Sequence, residues 1–283
     1  MATVTEIKKD IEFYQDFASL IEVLKAISSF QYHSREKRLW TFGDFVSIVE
    51  GFFDFIDTSA VRHPFLDPGD RPLGVIAVTS DAGLLGGLNF RVMSAALGQL
   101  KSENDTIIVI GLQGQNMIKE KNVRSENFPI VDDENRYFRA LELRDYIIKE
   151  ARGGKFGRVT IVYPFALSIS VQRVVMLTLL PCSEWFKDRQ KARAVPQNEI
   201  IFESLPSDDI EYLAHLWIGY KLFEIFQFSR LAEFGARVIH LEESSQKVKE
   251  INKKLKLKYA RIRHEIIDQQ MRELFTARSL YAR

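Results

Sequence analysis

The chain has 283 residues, a net charge of +1 and a single cysteine, with 46% hydrophobic residues. That length holds at least one sizeable core, and the balanced charge gives no global pull toward nucleic acid or an acidic substrate. The lone Cys182 excludes an intrachain disulfide and fits a reducing compartment, while apolar runs such as Val174 to Pro181 fall well short of the ~20 residues that span a bilayer.

The first element expected is an amphipathic helix from Thr3 to Gln31. Two apolar rows, Ile7, Ile11, Tyr14, Ala18, Ile21 and Phe13, Phe17, Leu20, Leu24, Ile27, step by four and three and together make one broad face. The early Glu6, Lys8, Lys9 and Asp10 leave no apolar signal core, so secretion is not expected. A second helical run follows in Phe42, Phe45, Val46, Val49, Phe52, Phe53 and Ile56, with Gly43 and Gly51 inside it.

The pattern changes beyond the turn-rich Asp67-Pro68-Gly69-Asp70-Arg71-Pro72. Val75 to Val78, Thr106 to Ile110 and Val159 to Val162 read as strands buried on both faces, with Val171 to Leu180 as a further strand. Helical pieces, Asn89 to Leu100 and Arg136 to Arg152, alternate with them, which predicts an α/β layer domain with a largely parallel sheet. Phe186 to Glu199 reads as a connector, and Ser207 as the N-cap of the last helix, with Asp208 and Asp209 in its first turn.

From Ser207 to Arg283 there is no proline, and after Gly235 no glycine. Val248, Ile251, Leu255, Tyr259, Ile262 and Ile266 recur with a mean period near 3.6, which predicts a gently wound helix pair rather than a tight supercoil. One helix of ~75 residues would be about 110 Å long. Most of it needs burial against something else, and the N-terminal helix is the candidate, giving an extended antiparallel coiled coil. Two ordinary bundle helices packed on one domain are the plainer alternative. Lys247, Lys249, Lys253, Lys254, Lys256, Lys258, Arg261 and Arg263, with Glu250 the only acid among them, form either a solvated face or a contact for an acidic partner.

No catalytic constellation is visible. His33, His63, His215, His240 and His264 are scattered without metal-ligand spacing, there is no GxSxG elbow, and Cys182 reads as a buried small hydrophobe. The one motif-like stretch is Ser80-Asp81-Ala82-Gly83-Leu84-Leu85-Gly86-Gly87-Leu88-Asn89, between a strand and a helix. That context suits an anion at a helix N-terminus. The spacing fits neither GxGxxG nor a Walker loop, so the glycines also read simply as a tight turn with close helix–strand packing.

These features, in this order, resemble the gamma subunit of F-type ATP synthases. The family's loop reads Ser-Asp-Arg-Gly-Leu-Cys-Gly-Gly-Leu-Asn. This chain keeps it except at Ala82 and Leu85, retaining Ser80, Asp81, Gly83, Gly86, Gly87 and Asn89. Ile201 to Pro206 is similar to the family's Tyr-Glu-Pro-Ser-Pro, and Glu233-Phe234-Gly235-Ala236-Arg237-Val238 to Glu-His-Ala-Ala-Arg-Met. Leu257 to His264 follows Leu-x-Tyr-Asn-x-x-Arg-Gln, with His264 in place of glutamine. Leu24-Lys25-Ala26-Ile27-Ser28-Ser29 stands where the family has Met-Lys-Met-Val-Ala-Ala. Gln31-Tyr32 and the stretch from Arg38 to Phe45 look closer to the alternate, N-ATPase type. Ile267 to Gln270 interrupts the usual Ile-Thr-x-Glu, and the terminal Gly-Gly-Ala is missing between Phe275 and Leu280.

The resemblance implies a long antiparallel coiled coil of N- and C-terminal helices, residues 1–66 and 200–283, with a Rossmann-like α/β foot, residues 67–199. It implies a non-catalytic rotor subunit without a cofactor or metal, coupling a membrane ion-driven ring to ATP chemistry. The partners would be the alpha and beta subunits, the epsilon subunit and the ring, with no nucleic acid and with the membrane reached only through the complex, at its cytoplasmic face. Ala26, Arg237, Lys253, Lys254, Lys256, Lys258, Arg263 and His264 would make the interface and coupling contacts. An enzyme holding a phosphorylated ligand at the glycine loop, and a gamma-like adaptor that does not rotate, are the alternatives.

Overall fold

The computed structural model describes residues 4–39, 43–52, 61–129, 131–185 and 204–281, without the side chains of residues 43–47 and 277–281. Phe42, Phe53, Ile56, the connector Phe186 to Glu199 and Ile201 to Glu203 lie outside the described residues, as do the side chains of Phe45 and Val46. The chain forms two compact units: a sheet unit, residues 30–237, and a helix-pair unit, residues 1–29 with 238–283.

The sheet unit is built on β1 (Leu73–Val78), β2 (Thr106–Ile110), β3 (Ser125–Phe128), β4 (Arg158–Ser168) and β5 (Val171–Leu180), in the order β3-β2-β1-β4-β5. All neighbours are parallel except β4 and β5, which form an antiparallel hairpin at one edge. β1 and β2 are buried at almost every position because both sheet faces are covered. On one face Val75, Ala77, Ile107 and Val109 pack with Val92, Met93 and Ala96 of α3 (Leu88–Leu97) and Ile118 of α4 (Leu112–Ile118). On the other, Ile76, Val78, Ile108 and Ile110 meet two helices, α5 (Arg136–Arg152) and the first part of the C-terminal helix α6 (Pro206–Tyr281). Leu143 and Ile147 are the α5 anchors, and Trp217, Ile218, Leu222 and Ile225 those of α6. The alternation of strand residues between the two cores is the period-2 geometry of a pleated strand. Cys182 is fully buried in this second core, and burial pushes its thiol pKa well up.

The N-terminal helix α1 spans Val4–Glu36 and the short α2 spans Gly43–Phe52. The helix-pair unit packs the first part of α1 against the second part of α6. Ile21 packs with Leu241 and Val248, with Tyr14, Ala18 and Leu24 alongside. Partner numbers on α6 rise as those on α1 fall: Lys25 reaches Glu242, while Glu22 reaches Ser245 and Lys249. The pairing is therefore antiparallel.

Three expectations need correction. The seam on α6 runs through Leu241, Ser245, Val248, Asn252, Leu255, Tyr259 and Ile262, alternating steps of four and three, a 3.5 rather than a 3.6 repeat. Ile251 is 39% exposed and Asn252 takes the inward place. Of the two apolar rows on α1 the first faces α6, joined from the second by Leu24 alone; Phe13, Phe17, Leu20 and Ile27 of that second row stay exposed, because a single partner helix covers only a narrow stripe. At the start of α6, Ser207 is not the N-cap. Pro206 is the first helical residue, and the amides of Asp208 and Asp209 donate to the Leu205 carbonyl at 2.9 and 3.2 Å. Proline is suited to that position because the first helical N–H has no intrahelical partner in any case.

Candidate functional site

The glycine loop joins β1 to α3 and is tied mainly to itself and to its neighbours. The Ser80 amide donates to Asn89 Oδ1 at 3.1 Å, Asn89 Nδ2 donates to Ser80 Oγ at 2.8 Å, and Ser80 Oγ donates to the Ala82 carbonyl at 2.7 Å. Asp81 Oδ1 accepts from the Leu112 amide at 2.9 Å, so its carboxylate caps the first turn of α4. Gly87 precedes α3 with φ +82°, and Gly86 has φ +55°, left-handed values that explain two of the glycines. Gly83 has open space where a Cβ would stand. Leu85 and Leu88 pack on Ala236 of α6, which seats the loop on that helix. Ser80, Asp81 and Asn89 are thus committed to bonds within the loop and to α4, and the loop acts as a structural knot.

Below this knot, the α6 stretch 229–237 carries a charged cluster. Three guanidiniums surround the ring of Phe234: Arg35 at 5.4 Å, Arg230 at 5.0 Å and Arg237 at 5.8 Å from its centre. Glu233 is buried and accepts from Arg230 Nη1 at 2.7 Å. Burial raises its carboxyl pKa, against the pull of Arg230 and Arg237. Burial lowers the pKa of Arg237, whose Nη2 is enclosed without a hydrogen-bond partner. Arg237 is thus placed in this cluster, half-buried, together with Arg35 and Arg136, which both bond Asp133. Sequence reasoning singled out Arg237 and missed the other three arginines. The spacing Arg230, Glu233, Arg237 on one helical face was the available signal.

The helix-pair unit holds a polar layer within its apolar seam. Lys25 Nζ lies 2.6 Å from Glu22 and 2.8 Å from Glu242; Ser245 Oγ donates to Glu22 Oε1 at 2.8 Å, and Lys249 reaches the same oxygen at 3.2 Å. Hydrogen bonds from Lys25, then Ser245 and Lys249, hold the Glu22 pKa at about 2, and Lys25 likewise depresses Glu242. Glu22 and Glu242 in turn raise the Lys25 pKa. One polar layer in an apolar seam fixes the register of a helix pair. Lys253, Lys254, Lys256, Lys258, Arg263 and His264 are all exposed on α6, and Ala26 is exposed on α1. The structure gathers the lysines into one belt and leaves them in solvent.

Among the described residues no group of three or more His, Cys, Asp or Glu could hold a metal ion, and no helix is long and apolar enough to cross a membrane.

A family model described as ATP synthase matches residues 3–279. Among curated relatives, the ATP synthase gamma chains of Desulforamulus reducens and Bdellovibrio bacteriovorus are 19% and 22% identical, each alignment covering 97% of both chains. That of Rhodopirellula baltica is 26% identical over 76% of each. Among solved structures, a chain of the Euglena gracilis mitochondrial ATP synthase (OSCP/F1/c-ring, rotational state 3) superposes with a TM-score of 0.71 at 15% identity. It covers 98% of this chain and 93% of that one. A chain from the Tetrahymena thermophila mitochondrial ATP synthase central stalk and c-ring gives 0.59 at 16% identity, covering 80% and 99%. The long terminal helices, the mostly parallel five-stranded sheet and the glycine loop are thus found on one chain matched nearly end to end by this family, and the chain belongs to the ATP synthase gamma chain family.

Proposed function

We propose that the chain is the central-stalk rotor of an F-type ATP synthase. It carries torque between a membrane ion-driven ring and a catalytic hexamer of alpha and beta subunits, and performs no bond chemistry itself. The observation that carries this reading is the surface the helix-pair unit leaves uncovered. On α6 every residue from 263 to 276 is exposed, among them Ile266, Ile267, Met271, Leu274 and Phe275. On α1 the row Phe13, Phe17, Leu20, Val23 and Ile27 is exposed as well. Contiguous apolar surface of that extent marks a binding face, and a shaft enclosed by a ring of subunits covers it from all sides.

In this reading residues 1–66 and 200–283 supply the shaft and residues 67–199 the foot, which meets the epsilon subunit and the ring. The chain is peripheral, at the cytoplasmic face of the membrane, and held there through the complex. The belt of Lys253, Lys254, Lys256 and Lys258 faces acidic loops of the hexamer, a contact that re-forms at each step because exposed charge pairs are weak individually. Ala26, Arg237, Arg263 and His264 take the remaining interface roles. The alternative of a phosphate-binding enzyme is disfavoured by the internal hydrogen bonding of Ser80, Asp81 and Asn89.

Replacing the four lysines with alanine tests the electrostatic part. Co-purification with alpha and beta subunits and ATP hydrolysis fall, the loss shrinks at high salt, and the circular dichroism of the free chain is unchanged. Assembly and hydrolysis that match the parent at every salt concentration contradict it.

A further inference from the structure

The sheet unit has an open pocket of about 390 Å³ where the last turns of α1, the far end of β4 and the α6 stretch 224–231 meet. Tyr32, Phe165, Phe228 and Leu231 make most of its wall, and the rings of Phe165 and Phe228 stand edge to face with centres 4.8 Å apart. Tyr32 and Leu231 are buried in one apolar cluster, so this wall is part of the packed core. Two carboxylates, Glu36 from α1 and Glu224 from α6, are the charged groups among the described lining residues, which include no lysine, arginine or histidine.

Lys221 lies 2.6 Å from Glu224 and answers that charge. Glu36 contacts the Tyr32 hydroxyl and, at 3.4 Å, the His33 ring, and no described lysine or arginine pairs with it. The neighbouring guanidiniums are engaged elsewhere, Arg35 with Asp133 and Arg230 with Glu233. Arg173, opposite Phe165 on β5, is exposed and outside the lining. Burial and then the Glu36 charge raise the Tyr32 pKa, while burial and then the Glu224 charge push Tyr163 up to about 12. An apolar wall thus carries one carboxylate answered by a lysine and one that is not.

We propose that this pocket binds an amphiphilic cation, a single ammonium group carried on an aromatic or aliphatic hydrocarbon. The hydrocarbon displaces water from the wall, and the ammonium donates to Glu36, whose side chain is 46% exposed at the rim. Tyrosine and phenylalanine rings add an attraction for a cation that a neutral group of the same shape does not feel. The volume lies at the lower end of the range for small-ligand pockets, enough for one ring and a short chain. The same two carboxylates repel an anion. The pocket lies wholly within the sheet unit, shares no residue with the glycine loop and does not depend on the rotor reading.

Ligand-observed NMR titration of the full-length chain with phenylpropylamine, phenylpropanol and phenylpropionate tests it, because the three share one hydrocarbon and differ in charge. The amine is expected to bind at least about fivefold more tightly than the alcohol, and the carboxylate more weakly than either. Glu36→Gln keeps an acceptor for Tyr32 and is expected to weaken the amine at least about threefold while the alcohol is unmoved, the alcohol reporting that the pocket is intact. Leu167, 50% exposed at the end of β4, borders the same wall, and Leu167→Ala is expected to weaken amine and alcohol together by about threefold. The proposal is overturned if the amine does not bind at millimolar concentration or if the alcohol or the carboxylate binds as tightly. It is equally overturned if Glu36→Gln leaves the amine unchanged or lowers the alcohol as much, or if Leu167→Ala moves neither.

Discussion

Truncating Ile21 to alanine separates the two apolar rows of α1. Ile21 is 3% exposed and wedged between Leu241 and Val248. The change removes three carbon equivalents, about 2.4 kcal/mol of transfer at ~0.8 kcal/mol each, and partial collapse of the void brings the cost to about 3 kcal/mol. Because Ile21 belongs to the helix-pair unit, the loss falls on local opening of α1 rather than on the sheet unit. Amide hydrogen exchange reads it directly: α1 amides near position 21 speed up on the order of 150-fold, while those of β1 from Val75 to Val78 do not change. Leu20→Ala is the matched control. Leu20 is 53% exposed, so its loss moves exchange by less than about threefold in the free chain, yet it weakens assembly with alpha and beta subunits. Equal acceleration in both variants, or acceleration of β1 along with α1, refutes the assignment of one row to the seam and the other to a partner.

Two further outcomes follow from the same geometry. Gly111 has φ +93°, and a Cβ there would stand 2.1 Å from the Thr79 carbonyl oxygen, so Gly111→Ala costs at least about 3 kcal/mol; an unshifted urea midpoint contradicts the close approach. The Glu22 pKa is lowered from the usual 4.5 to about 2, so its stabilisation of the helix pair is complete above pH 4.5 and vanishes as pH falls toward 2. Lys25, whose pKa is raised, contributes fully below its usual 10.5 and loses that contribution as pH climbs beyond it. Glu22→Gln flattens the acid limb of α1 exchange protection, and an acid limb that survives the substitution removes Glu22 as its cause.

The elements that announce themselves in the sequence are those whose local signal agrees with their packing. The α5 reading of Arg136 to Arg152 matched both ends because an amphipathic run there stops at Gly153-Gly154. β3 was missed because Ser125-Glu126-Asn127-Phe128 has little strand propensity and one buried residue; it exists because the open edge of β2 pairs with it. α4 was missed because Gly114 and Asn116 argue against a helix, yet a Cβ at 114 would meet Thr79 Oγ1 at 2.5 Å. The true seam repeat was hidden by Lys25, Ser28, Ser245 and Asn252, polar residues at inward positions that an apolar pattern skips. The glycine loop was legible as a motif, whereas its capping of α4 by Asp81 spans 31 residues and appears only in three dimensions. The arginine cluster was not legible either, since Arg35, Arg136 and Arg230 are brought together only by the fold.

The central claim is rotation, and it can be watched. Phe138 is 71% exposed on the sheet unit while the native Cys182 is fully buried, so Phe138→Cys gives one selective attachment point for a bead. With the chain assembled in a surface-fixed hexamer of alpha and beta subunits, the account predicts that ATP turns the bead continuously in one direction. A hexamer that forms and hydrolyses ATP while the bead stays fixed would make this chain an adaptor and contradict the shaft.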